Sequence, residues 1–230
     1  MRSKKSRFPL PAEDVVVVHN GVDLQRFHPR LRATEGAQLR RSLEFASDDV
    51  VVLFLGTGYG RKGLEKLLAA FAELRRTQRN VRLMVVGYDS AIERYRVRAK
   101  QLGIDDATRF LGGRDAPQAC YAAADLYVLP TLNDPFANST LEALASDLPV
   151  ITTDANGAAE LMVPDRTGVV LRATDVENTL HAALQVWTNR ERLDGVRGRP
   201  RALAEQHGHE RATSRTIQIL EGVRRGPHAA

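Results

Sequence analysis

The chain has 230 residues, 43% hydrophobic and 27% charged, with a formal net charge of +5, which is enough for one well-buried domain with appended helices. No apolar run reaches the ~20 residues of a membrane-spanning helix, and the basic start Met1–Arg7 leads into Pro-rich sequence rather than the apolar stretch of a signal peptide. A lone cysteine, Cys120, excludes an internal disulfide and suits a reducing compartment, so the cytoplasm is the expected location. Dispersed cations and only 6% aromatic residues leave no basic, base-stacking surface for nucleic acid.

Along the chain, short apolar runs alternate with segments of helical spacing. The runs Val15–Val18, Val50–Leu55, Val81–Val86, Arg109–Leu111, Leu126–Leu129, Pro149–Thr152 and Gly168–Leu171 are mostly Val, Ile and Leu without polar alternation, the pattern of strands buried on both faces of a parallel sheet. Between them, Leu64, Leu67, Leu68, Phe71 and Leu74 form one apolar helical stripe, with Glu65, Arg75 and Arg76 left for solvent. Ala91–Leu102, stopped by Gly103, is a second predicted helix, Pro117–Ala124 a third and Ser139–Ser146 a fourth. This alternation predicts an α/β fold, a doubly wound parallel sheet with right-handed crossovers. After Leu171 the strand signal ends; Asp175–Trp187, Glu191–His207 and Glu210–Arg224 read as helices, followed by a tail at 226–230.

Ligands of such sheets sit at the carboxyl ends of the strands. After Leu55 comes Gly56-Thr57-Gly58-Tyr59-Gly60-Arg61-Lys62-Gly63 and then a helix. Glycines admit a ligand close to the backbone, and two cations at a helix start, where the dipole disfavours them, suit a phosphate. The bland alternative is a Gly-rich turn with solvated cations. Gly58 to Gly63 also fits the dinucleotide pattern GxGxxG, with Asp89 where a ribose-binding acid would stand, although about fifty residues precede these glycines. After Leu129 comes Pro130 to Ala145, with Asp134 in a turn and Glu142 eight positions on, expected in the first turn of a helix. The pair could present one acid to a sugar and one to a ribose diol; equally, Ser139-x-x-Glu142 is a capping box and Asp134-Pro135 an ordinary turn.

The stretch Asp134–Thr152, DPFANSTLEALASDLPVIT, closely resembles the signature of retaining family-4 glycosyltransferases, with Asp134 for the usual first Glu, Ala137 for Gly and Asp147 for Gly. His19-Asn20-Gly21-Val22-Asp23 with Phe27, Arg61-Lys62-Gly63, Phe110-Leu111-Gly112, Ala123-Ala124-Asp125-Leu126 and Gly157–Gly168 resemble further elements of that family, in order, over roughly Asp14–Leu171. The resemblance implies the Rossmann-like C-terminal, donor-binding domain of a GT-B enzyme. It implies a linker remnant at 1–13, a nucleotide-sugar-binding domain at 14–173, helices at 174–225 packing on it or on a missing partner, and a tail at 226–230.

By the same resemblance, Arg61 and Lys62 would bind the donor diphosphate and Asp134 the transferred sugar, with Phe136 and Ala137. Asn138, Ser139, Thr140 and Leu141 would offer a helix start to phosphate, Glu142 would take the ribose hydroxyls, Gly112 and Arg114 would border the base, and Gly58 would pack beside the donor. Transfer would retain configuration and need no metal or cofactor, the nucleoside-diphosphate sugar (a UDP-sugar first) being the substrate. The acceptor-binding N-terminal domain is expected as a separate domain or subunit, so the chain alone would bind donor but transfer poorly; contact with the inner membrane face is a further expectation. The alternatives are an NAD-type dinucleotide-binding oxidoreductase domain and a non-catalytic nucleotide-binding partner subunit. His207-Gly208-His209 reads as a solvated helix end, and His19 equally as a structural side chain.

Overall fold

The computed structural model describes residues 15–225; the expected linker remnant at 1–13 and tail at 226–230 lie outside the described residues. Six parallel strands form one sheet: β1 (Val50–Leu55), β2 (Val81–Val86), β3 (Thr108–Gly112), β4 (Leu126–Leu129), β5 (Val150–Thr153) and β6 (Gly168–Leu171). Their spatial order is β3-β2-β1-β4-β5-β6. The chain thus builds outwards from β1 to one edge, returns to the middle and builds outwards the other way. The direction reverses between β1 and β4, which pair in parallel from Val52 opposite Leu126, and this reversal opens the crevice in which such sheets bind ligands. The doubly wound fold expected from the alternation is the one found.

The helices on the two faces are α1 (Glu35–Ser42), α2 (Leu64–Thr77), α3 (Ile92–Gln101), α4 (Gln118–Ala123) and α5 (Asn138–Ala145). In α2 the predicted stripe Leu64, Leu67, Leu68, Phe71 and Leu74 is fully buried, each large side chain contributing about 1.5–3 kcal/mol over its exposed state. Arg75, expected in solvent, is buried and pairs with Asp106 at 2.9 Å; its guanidinium also donates to the Arg79 carbonyl beyond the helix end, which draws it inwards.

Two departures from the expected elements have physical causes. Val15–Val18 is no strand: Val15, Val16 and Val17 are about half exposed or more, and among the described residues the β-branched run has no neighbouring strand to pair with. Glu191–His207 is not one helix but α7 (Arg190–Gly195), α8 (Arg199–Ala204) and a 3-10 turn at Glu205–His207; Gly198 at φ 79° breaks the run and Pro200 starts the next helix. Beyond these lies α9 (His209–Arg225). Of the two outcomes expected for the helices at 174–225, packing on the domain holds for those before α9. Val176, Leu180, Leu184 and Trp187 of α6 (Val176–Trp187), with Leu193 and Ala204, belong to the same buried cluster as the strands. The described part of α9 turns three apolar residues outwards, Ile217, Leu220 and Val223, each half or more exposed, while α3 and α6 expose one each, Val97 and Val186. Among the described residues no helix is long and apolar enough to cross a membrane.

At the amino edge of the sheet Asp125, almost wholly buried, gathers the chain. It accepts the Val51 amide at 2.8 Å, pairs with Arg32 and Arg40, and has Arg190 at 3.4 Å. Burial alone would raise its pKa, but the two nearer guanidiniums outweigh that and hold it below 3.8. The acid at this strand entry is therefore an anchor joining β1, β4, α1 and the start of α7.

Candidate functional site

The loops after β1 and β4 meet at the switch point. Gly63 caps α2 in a left-handed conformation, φ 79°, and a Cβ there would lie 2.1 Å from the Pro130 carbonyl oxygen, so only glycine lets the two loops touch. The Arg61 carbonyl then accepts the Leu132 amide at 2.9 Å and the Thr131 hydroxyl at 3.2 Å. This stitching brings together residues far apart in sequence. Lys62 Nζ pairs with Asp134 Oδ2, both side chains being more than nine-tenths buried. Arg61, about half exposed, lies 3.9 Å from the same carboxylate and donates to the Asn133 carbonyl at 2.7 Å. A buried pair in this arrangement is costly to break from one side only.

Asp89 decides against one alternative. One of its oxygens accepts the Tyr59 amide at 2.6 Å and the other the Ala91 amide at 2.8 Å. The acid at the ribose position of the dinucleotide pattern is thus occupied in shaping the glycine loop. Tyr59 is buried against Phe54 and Tyr95, its hydroxyl donating to the Gly87 carbonyl at 2.8 Å, and burial pushes its phenol up to about 12. Gly58, at φ 75°, faces open space, as close approach by a ligand requires.

On the other wall, α5 begins at Asn138 rather than Ser139, with Ala137 as its N-cap and no side-chain cap. The capping-box alternative is therefore not realised. Ser139 Oγ lies 2.7 Å from the Tyr127 hydroxyl, and Glu142 accepts from Tyr121 at 2.7 Å. Glu142 stands in the second turn of the helix, not the first. Thr140 and Leu141 bury their side chains, so they can offer a ligand only backbone; the Thr140 amide already donates to the Ala137 carbonyl at 3.0 Å, which narrows the helix-start donors to its neighbours. Phe136 is half buried, with the His19 ring 5.5 Å away, and Asn138 Oδ1 accepts from Asn20 at 2.8 Å. Gly112, at φ 67°, and exposed Arg114 end β3 at the same carboxyl edge, two strands from β1. His207-Gly208-His209 is docked instead of solvated: the Val22 amide donates to His207 and the His209 amide to Val22, at 3.0 and 3.1 Å.

Several supporting residues carried no motif. Asn156, buried, accepts the amides of Ala137 and Ala158 and donates to Thr140 and Thr152, fixing the Asp134–Thr140 loop. An Asn-Gly pair after a strand was its only sequence signal. Two open clefts of about 580 Å³ each flank the crevice, one past Asp134 towards Asp154 and Glu160, the other between His19 and α9. Among the described residues no group of three His, Cys, Asp or Glu is placed to hold a metal.

Sheet order, switch-point loops and trailing helices define a Rossmann-like domain of the GT-B type. Residues 36–198 match the family model described as glycosyl transferases group 1, and the chain belongs to that family. A D-inositol 3-phosphate glycosyltransferase of Saccharomonospora viridis is 33% identical over 232 residues, 95% of this chain and 52% of that protein. A GDP-mannose-dependent alpha-(1-6)-phosphatidylinositol monomannoside mannosyltransferase of Mycobacterium tuberculosis is 29% identical over 191 residues, 79% of this chain and 49% of that protein. The chain spans about half the length of these curated relatives. Among solved structures, Anabaena HepE in complex with UDP-glucose superposes with a TM-score of 0.79 at 21% identity, over 92% of this chain and 58% of that one.

Proposed function

We propose that the chain is the donor-binding half of a retaining, metal-independent glycosyltransferase of the family-4 type. It binds a nucleoside-diphosphate sugar, UDP-sugars first, for transfer to a glycan or lipid-linked acceptor. The observation that carries this reading is the convergence of Arg61, Lys62 and Asp134 at the switch point, in the loops that lead into α2 and into α5, which carries the half-buried Glu142. In this assignment the diphosphate lies between Arg61, Lys62 and the free amides at Asn138 and Ser139. As the bond between the sugar's anomeric carbon and the phosphate oxygen breaks, negative charge grows on the diphosphate, and these cations and dipoles stabilise it where other enzymes use a metal. Asp134, with backbone at Phe136 and Ala137, holds sugar hydroxyls. Glu142 accepts from the ribose diol, and Gly112 and Arg114 border the base, beside Gly58.

Support for a nucleotide sugar comes from the family and from its relatives: HepE is solved with UDP-glucose, and the mycobacterial relative is named for GDP-mannose. Since this chain spans about half of such proteins, an acceptor-binding domain or subunit completes the reading, with peripheral contact at the inner membrane face where the acceptor carries lipid.

Calorimetric titration with UDP, GDP, ADP and NAD tests it. A nucleoside diphosphate binds in the micromolar range, and Arg61→Ala/Lys62→Ala and Glu142→Ala each lose that binding, a charged contact being worth about 1.5–3 kcal/mol. Binding of NAD alone would replace the reading with the oxidoreductase. Binding that survives both variants would remove the assigned site, and sugar transfer by the purified chain alone would refute the need for an acceptor half.

A further inference from the structure

Behind Glu142 lies a polar pair that the assigned chemistry does not use. Tyr121, from α4, is completely buried, packed edge-on against Phe27 at 5.4 Å and beside Tyr127 at 6.0 Å. Its hydroxyl donates to Glu142 Oε2 at 2.7 Å. A buried phenol needs a partner, and a carboxylate accepts through both oxygens. With Oε2 held from inside the protein, Oε1 is the oxygen left to a ligand; among the described residues it accepts no hydrogen bond from the chain.

We propose that Tyr121 is a positioning residue for nucleoside recognition: its buried hydroxyl fixes the Glu142 carboxylate so that the second oxygen meets the vicinal diol of a ribose. The inference rests on the donor-site reading above and adds to it the group that makes Glu142 selective. An unheld glutamate has three side-chain torsions to lose on binding, whereas this one is locked at its far end before the ligand arrives. The neighbouring phenol does not substitute, since Tyr127 is spent on Ser139 and the Leu55 carbonyl. Arg26 also bears on Glu142 by charge, but its guanidinium is directed to Gln118 and the Asp115 carbonyl.

The test compares UDP, GDP and ADP with their 2′,3′-dideoxy forms, on the wild-type chain, Tyr121→Phe, Glu142→Gln and the double variant. In the wild type, the ribo form that binds is preferred over its dideoxy form. Y121F weakens the ribo form about tenfold, the size of one lost hydrogen bond to a charged group, and leaves the dideoxy form nearly unchanged. In the E142Q background, adding Y121F changes the preference little, because its effect passes through that carboxylate. A second measurement needs no folded variant: the Tyr121 Cζ resonance of the wild-type chain shifts when the ribo form binds and not when the dideoxy form does.

An unchanged preference in Y121F, equal weakening of both forms, or a silent Tyr121 resonance while the nucleotide binds would overturn this inference alone. Absence of binding of all three diphosphates to the wild type would overturn the donor-site reading and this inference with it.

Discussion

At the scale of single residues, the site depends on groups whose protonation the protein has adjusted. Burial raises the Glu142 pKa above 4.5, with the Tyr121 hydrogen bond and Arg26 opposing it. The ionised carboxylate is the better acceptor for a diol, so nucleotide affinity falls as pH drops through a midpoint above the ordinary glutamate range and is complete on the alkaline side. Glu142→Gln removes that step, and subtracting its affinity–pH curve from the wild-type curve cancels the titration of the phosphate itself; a flat difference would contradict the role given to Glu142. Cys120, by contrast, is buried and its thiol is pushed up to about 11, so at neutral pH it is a packed thiol, inert towards alkylating reagents in the folded chain.

The residues of the site were legible to different degrees for identifiable reasons. Arg61 and Lys62 stood out because cations at a helix start oppose local preference, whereas Asp134 and Glu142 fit an ordinary turn and a capping box as well and stood out through the family resemblance. The pairing of Lys62 with Asp134 was not legible, since the two are separated by the whole of β2, β3 and β4 and meet only through the sheet reversal. Tyr121 was hidden in an Ala-rich short helix, where an aromatic looks like ordinary core, and Asn156 inside a turn.

At the scale of elements, runs apolar on both faces marked the six strands of the sheet. Helix α1 escaped because its sequence, EGAQLRRS, is mostly polar and buries only Gly36, leaving little periodicity to detect. Val15–Val18 misled because β-branched composition reports a preference for extended backbone and says nothing of a partner strand. The most informative element is the start of α8. Asp147, where the family signature has Gly, sits at φ 63° and accepts the Gly198 amide through both oxygens and the Arg201 amide at 3.2 Å. It caps a helix fifty residues away from a conformation that disfavours side chains. Asp147→Ala loses the cap, worth about 0.5–2 kcal/mol, and keeps the strain; Asp147→Gly loses the cap and relieves the strain. Thermal melts therefore rank wild type first, glycine second and alanine last, and an alanine variant as stable as glycine would mean that the left-handed conformation carries no cost here.

At the scale of the whole molecule, stability hangs on the amino edge, opposite the candidate site at the carboxyl edge. Asp125→Asn strands three guanidiniums around a neutral side chain and destabilises the chain by about 3–5 kcal/mol, read from denaturant melts. The sign with pH follows from the depressed pKa: the contribution is present above the unfolded value near 3.8 and disappears as pH falls through the lower folded value. Wild type and Asp125→Asn therefore converge in stability at strongly acid pH, and a constant gap between them down to that range would rule out the charge as the cause.

The buried contact between Lys62 and Asp134 has a consequence for how a ligand enters. Lys62 is held against an internal anion, so on the proposed donor-site reading a diphosphate would have to compete with Asp134 for it. Binding would then be an exchange in which the phosphate takes the ammonium from the carboxylate. A bare nucleoside diphosphate would complete half of that exchange and leave Asp134 with only the more distant Arg61, at 3.9 Å, while the full nucleotide sugar would return a hydroxyl to it. On that reading the crevice would work as a two-key lock, the intact donor gaining more over its diphosphate fragment than the sugar's own contacts would supply.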